Sequence, residues 1–205
     1  DGLLGNSATN AQNFAIEDKV LHEIDNNAVG LVMVKTNQVF VTDIATPAPS
    51  NNDYTRIKNG VEAVSNNWTI NLKGTFDWTE SNAAAAWVLG NDGISGNADD
   101  YSILPPSNLN GVTFTAPDGL GTASIQGPGD VATINLEGVF YFDGSGDNQG
   151  WTISKMDFLD FDLAIGFFNG AGGTDAYNNT TITNNHIRLA TDLSTTAAPA
   201  DPNQN

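Results

Sequence analysis

Apolar and polar positions alternate in Thr69-Ile70-Asn71-Leu72-Lys73-Gly74-Thr75-Phe76, and the pattern returns as Thr133-Ile134-Asn135-Leu136-Glu137-Gly138-Val139-Phe140. Alternation with period two predicts strands that bury one face. A strand this short cannot bury its face alone, so the shared Thr-Ile-Asn-Leu-x-Gly-x-Phe skeleton predicts units stacked on one another. The alternative is two similar strands of an ordinary sandwich. Stacking predicts that 69–76 and 133–140 run parallel and side by side, Ile70 over Ile134 and Leu72 over Leu136. Antiparallel pairing of the two, or their placement in different sheets, would end the idea of coils stacked through this repeat.

Elsewhere the pattern is more varied. Residues 1–13 are polar and punctuated by Gly, which reads as extended or disordered chain. Phe14, Ile16, Val20, Leu21 and Ile24 then recur near helical spacing, as a short helix or an edge strand. Residues 30–35 and 38–42 flank Thr36-Asn37 and read as strands, and the Pro- and Asn-rich 46–52 marks an internal boundary. Tyr54, Ile57, Val61 and Val64 form one helical stripe with Asp53 as its cap, weakened somewhat by Gly60. Further strands are read at 112–116, 123–127, 151–158, 161–163, 164–168, 180–187 and 188–190. The stretch 193–205 is a linker-like tail.

A short amphipathic helix feeding directly into a strand that ends Gly-x-Phe resembles the start of right-handed parallel β-helix proteins, the pectate-lyase-like group. The resemblance implies an all-β fold: a short right-handed parallel β-helix of about three coils. A helix would cap its N-terminal end, and a strand-containing extension would precede it. The chain then divides into an extension at 1–50, a β-helix domain at 51–192 and the tail. Trp-Thr-Ile-Ser from 151 and Thr-Thr-Ile-Thr from 180 fall at equivalent places in successive coils. The polysaccharide lyases of this fold imply Ca²⁺-binding acids beside a Lys or Arg base. Lys155, Asp157, Asp160, Asp162 and Arg188 are the one grouping that could supply them. Alternation puts Lys155 and Asp157 on one face, which a solvated strand face explains without chemistry. No catalytic residue is assigned, and the reading leans against an enzyme.

Composition sharpens this in one direction. Seven Lys+Arg against 24 Asp+Glu give a formal charge of −17, which excludes nucleic acid and anionic membranes as natural partners and favours cations. Cys is absent, so neither disulfides nor thiolate-held metals contribute. No apolar run reaches membrane-spanning length. Chain start at Asp1 reads as a mature or excised form, and the acidic, Asn/Thr/Gly-rich composition as a secreted or cell-surface protein. Acidic Gly loops at 90–100 and 143–148 supply the oxygen donors Ca²⁺ prefers, with Asp92, Asp99, Asp100, Asp143 and Asp147 as candidate ligands. A third such loop lies at 169–175. Trp78, Trp87 and Tyr101 are candidate sugar-stacking residues. His22 and His186 are isolated in sequence and read as surface or packing residues rather than ligands.

The functional expectation is an extracellular structural module that associates with itself. Leu31, Val32, Val34, Val39 and Val41 of the extension would cover the uncapped far end, around Ile182, Ile187 and Leu189 of the next subunit. The alternative is a carbohydrate-active protein, either a lyase fragment or a glycan-binding module.

Overall fold

The computed structural model describes residues 5–43, 51–78, 103, 105–127, 139–142, 148–161, 164–167 and 179–189. A 3-10 turn, Gly5–Ser7, leads into helix α1, Asn10–Glu17, and then strand β1, Gln38–Thr42. Helix α2, Asp53–Ala63, follows, and then β2, Thr69–Asp77. The remaining strands are β3 Thr113–Thr115, β4 Ala123–Gln126, β5 Phe140–Phe142, β6 Thr152–Ser154, β7 Asp157–Phe161, β8 Ile165–Phe167, β9 Thr181–Thr183 and β10 His186–Leu189. The described chain is therefore mostly parallel β-sheet with two α-helices.

Every pairing between these strands is parallel, and together they make three ladders. The first runs β1-β2-β3-β6-β9 and the second β2-β4-β7-β10, with β2 belonging to both. The third joins β5 to β8, with Ile103 bridging to Phe140. From β3 onward the chain visits first, second and third ladder in that order, twice, and then supplies β9 and β10. Each such circuit is called a rung below. Like residues align down the ladders: Val39, Ile70, Phe114, Ile153 and Ile182 in the first, Phe76, Ile125, Phe158 and Ile187 in the second. Ile70, Phe114, Ile153, Phe76, Ile125 and Phe158 are wholly buried. Each contributes about 1.5–3 kcal/mol through its burial.

Backbone turns recur at fixed places in the rungs. Asn67, Gly111, Gly150 and Asn179 all have positive φ, and each stands two residues before the first residue of β2, β3, β6 and β9. Only Gly and Asn adopt this left-handed region cheaply. Asparagines also tie neighbouring corners together. Asn66 Oδ1 accepts from the Asn110 N–H at 2.8 Å, and Asn110 Oδ1 accepts from the Gln149 N–H at 2.6 Å. The bend from first to second ladder is made by Gly74 within β2, by Lys155 between β6 and β7, and by Asn184 between β9 and β10.

The repeat at 69–76 and 133–140 does not stack as its sequence predicts. Ile70 has Val39 on one side and Phe114 on the other, so Ile134 cannot lie beside it. Phe140 belongs to the third ladder, whereas Phe76 belongs to the second. Residues 131–138 lie outside the described residues. The vertical register rests on other pairs, among them Thr152 on Thr181 and Ile153 on Ile182, which is the alignment of 151 with 180.

Other expectations also change. Residues 10–17 are helical because Thr9 and Gln12 form a reciprocal capping box, which extended chain would not satisfy. Asn52 rather than Asp53 caps α2, accepting from the Thr55 N–H at 2.8 Å. Residues 30–34 form no strand, whereas 38–42 is a strand as read. The stretch 180–187 is two short strands in different ladders, split at Asn184. Lys155 occupies a corner, so it does not share a strand face with Asp157.

The two ends of the ladders are finished differently. Phe14 of α1 packs edge-on against Phe40 of β1, centroids 5.0 Å apart. Close approach of α2 to the same strand is what Gly60 provides, since a Cβ there would stand 3.1 Å from Val41 Cγ2. Residues 39–42 are buried as a result. At the other end every residue of β9 and β10 is exposed.

Candidate functional site

The expected site residues divide into three groups. Asp92, Asp99, Asp100, Asp143 and Asp147, with Trp87 and Tyr101, lie outside the described residues. Trp78 is wholly buried, with Tyr54 and Phe161 edge-on to its ring at 5.2 and 5.4 Å. It is a core residue and presents no face to a sugar. Val39 and Val41 are likewise buried in their own chain, paired with Ile70 and Leu72 of β2, which removes them as intersubunit contacts. Leu31 and Val34 are partly buried, Leu31 against the core, while Val32 is exposed. Ile182, Ile187 and Leu189 are 44%, 44% and 51% exposed, in columns where the equivalent residues of earlier rungs are buried.

Of the grouping around Lys155, only part assembles. Arg188 grips Asp160 through two contacts, Nε to Oδ1 at 3.0 Å and Nη2 to Oδ2 at 2.7 Å. Gln126 Nε2 donates to the same Oδ2 at 2.7 Å, so one carboxylate links β4, β7 and β10 across three rungs. These hydrogen bonds, Arg188's first, hold the Asp160 carboxyl below its ordinary pKa. Asp162 lies outside the described residues.

The polar concentration that the sequence does not announce is beneath the N-terminal segment. Glu17, His22, Asp25, Asp53 and Arg56 are all buried, at 9% exposure or less. Glu17 ends α1 and His22 and Asp25 lie in the turn after it, while Asp53 and Arg56 are on the first turn of α2. The Thr42 hydroxyl donates to Glu17 Oε2 at 2.8 Å. Arg56 Nε donates to Asp25 Oδ1 at 3.2 Å, and Arg56 Nη1 is 3.5 Å from Asp53 Oδ1. Asp53 Oδ2 in turn accepts from the Asp77 N–H at 2.7 Å.

His22 Nε2 points between two carboxylates, 3.5 Å from Glu17 Oε1 and 3.8 Å from Asp25 Oδ2. Neither separation is a good hydrogen bond, and both ring nitrogens lack a hydrogen-bond partner among the described residues. Burial raises the Glu17 pKa, with His22 and Thr42 pulling the other way. Among the described residues, Glu17, His22 and Asp25 are the only three His, Cys or acidic side chains whose ligand atoms all lie within 4.8 Å of one another. Their spacing, Glu-x₄-His-x₂-Asp, matches no recognised motif, and the partners on α2 are some thirty residues away. An unusually buried stretch of polar residues would have been the signal, and burial is invisible without the fold.

No family model, curated protein or solved structure matches this chain, so the likeness to pectate-lyase-like proteins stays a resemblance of pattern.

Proposed function

We propose that the chain is a short right-handed parallel β-helix acting outside the cell as a structural module that pairs with a second copy of itself. The observation that carries this reading is the contrast down the two columns. Phe114 and Ile153 are wholly buried, but Ile182 beneath them is 44% exposed, and Ile187 repeats this below Phe158. A rung of this kind buries its apolar side chains only when another rung lies against it. Residues 179–189 contain no Asp or Glu in a chain that carries 24, so this segment itself adds no negative charge to the contact.

The joining partner is the same end of another molecule. In the N-terminal segment β1 and α1 are engaged in their own chain, which favours the like-end contact over a strand donated by 38–42. Residues 190–205 offer one large apolar side chain, Leu193, and two prolines, a poor composition for a further ladder strand. Like ends meeting about a two-fold axis make a closed dimer, not a filament.

Light scattering on the full chain across a concentration series tests this. Dimer is expected at high concentration, and Ile182→Asp combined with Ile187→Asp should leave monomer with the same far-ultraviolet circular dichroism. Wild-type protein that stays monomeric throughout would refute the proposal. Burial of Trp78 weighs against the glycan-binding alternative.

A further inference from the structure

We propose that Glu17, His22 and Asp25 bind one divalent transition-metal cation of the Zn²⁺ type. The proposal is independent of self-association and concerns the opposite end of the ladders. Three properties of the cluster favour an ion over a proton.

The first is spacing. A buried imidazolium between two carboxylates draws them to about 2.7–2.9 Å, the length of charge-assisted hydrogen bonds. The separations here are 3.5 and 3.8 Å. Ligand atoms held about 2.1 Å from a tetrahedral ion stand about 3.4 Å from one another. The groups are thus too far apart to bond each other and suitably placed to share a metal.

The second is charge. Three acids, Glu17, Asp25 and Asp53, are buried here beside one arginine, Arg56, so the space is rich in carboxylates and suited to a divalent cation.

The third is support around the ligands. Glu17 Oε2 is held by the Thr42 hydroxyl, leaving Oε1 toward His22. Asp25 Oδ1 is held by Arg56, leaving Oδ2 toward His22. Each carboxylate is thus held by a neighbour through one oxygen and has the other on the His22 side, which is the usual arrangement around a protein-bound metal. His22 is 2% exposed and neither ring nitrogen has a hydrogen bond among the described residues. A nitrogen donor beside two oxygens suits Zn²⁺ and its transition-metal neighbours better than Ca²⁺ or Mg²⁺. A bound ion would fasten the turn after α1 to β1 through Thr42 and to α2 through Arg56.

The test is equilibrium dialysis of the full chain against Zn²⁺, with competition by a chromophoric chelator. One tight site per chain is expected. His22→Gln and Glu17→Gln should each weaken it by more than about tenfold, and Thr42→Val by about tenfold or more. His186→Gln, and Asp92→Asn with Asp99→Asn and Asp100→Asn, should leave it unchanged. Should a cluster variant fail to fold, X-ray absorption at the metal edge of the wild type still decides, by requiring one imidazole nitrogen among light-atom ligands. Absence of a saturable site would overturn the proposal. So would a folded His22→Gln protein that binds Zn²⁺ as well as the wild type, or a metal edge without imidazole.

Discussion

At the scale of single residues, the corners decide most. Gly74 has φ of +105°, and a Cβ on it would meet the Asp43 carboxylate at 2.1 Å, where Asp43 accepts the Thr75 N–H. Gly74→Ala is therefore expected to cost about 2 kcal/mol or more, seen as a lowered denaturant midpoint. Lys155 is the converse case. It holds φ of +61° at a bend where Asn184 serves in the next rung. Lys155→Asn should stabilise the protein by about 1 kcal/mol, and a fall in melting temperature would contradict the account. Asp160 carries one part of the pH dependence. Its pKa lies lower in the folded chain than the ordinary 3.8, so its contribution is present above that value and is lost as pH falls through the folded pKa. The pair with Arg188 is open to solvent and the effect is correspondingly small. Protection of the β10 amides, corrected for the intrinsic slowing of exchange in acid, should fall on acidification in the wild type and fall less in Asp160→Asn.

At the scale of elements, legibility followed local chemistry. The α2 stripe was readable because Tyr54, Ile57, Val61 and Val64 all face the core, and each is buried. Strand β1 was readable to the residue. The run at 31–34 was misread because a continuous apolar stretch resembles a strand, yet no ladder neighbour exists for it among the described residues. The Thr-Ile-Asn-Leu repeat misled for a related reason. In its first copy it is a strand with a Gly bend in it, and such a unit fixes its own shape without fixing which strand lies alongside. The positive-φ residue two places before β2, β3, β6 and β9 was the better periodic signal. It is Asn at the two outer places and Gly at the two inner ones, so no constant letter repeats. The buried polar cluster was illegible because its members come from a helix end, the turn after it and a second helix. One element-scale prediction follows from the capping box at Thr9. Thr9→Ala should destabilise α1 by about 1 kcal/mol. If α1 carries Glu17 into the cluster as described, the same change should also weaken Zn²⁺ binding, measurable in the dialysis assay.

At the scale of the whole molecule, the ladders have a closed end and an open one. Helices α1 and α2 pack on β1, and all residues of β9 and β10 are exposed. Stability in stacked units is a sum of each unit and its contacts with neighbours, so a last unit with one neighbour is the weakest. This asymmetry gives the molecule a direction in time as well as in space. Opening should start at the final rung and travel toward the helices, so that amide protons are lost in the order β9, β6, β3 within one ladder. Pulled at β10 against an anchor on α1, the chain should yield in successive small steps from its open end, as a zip does.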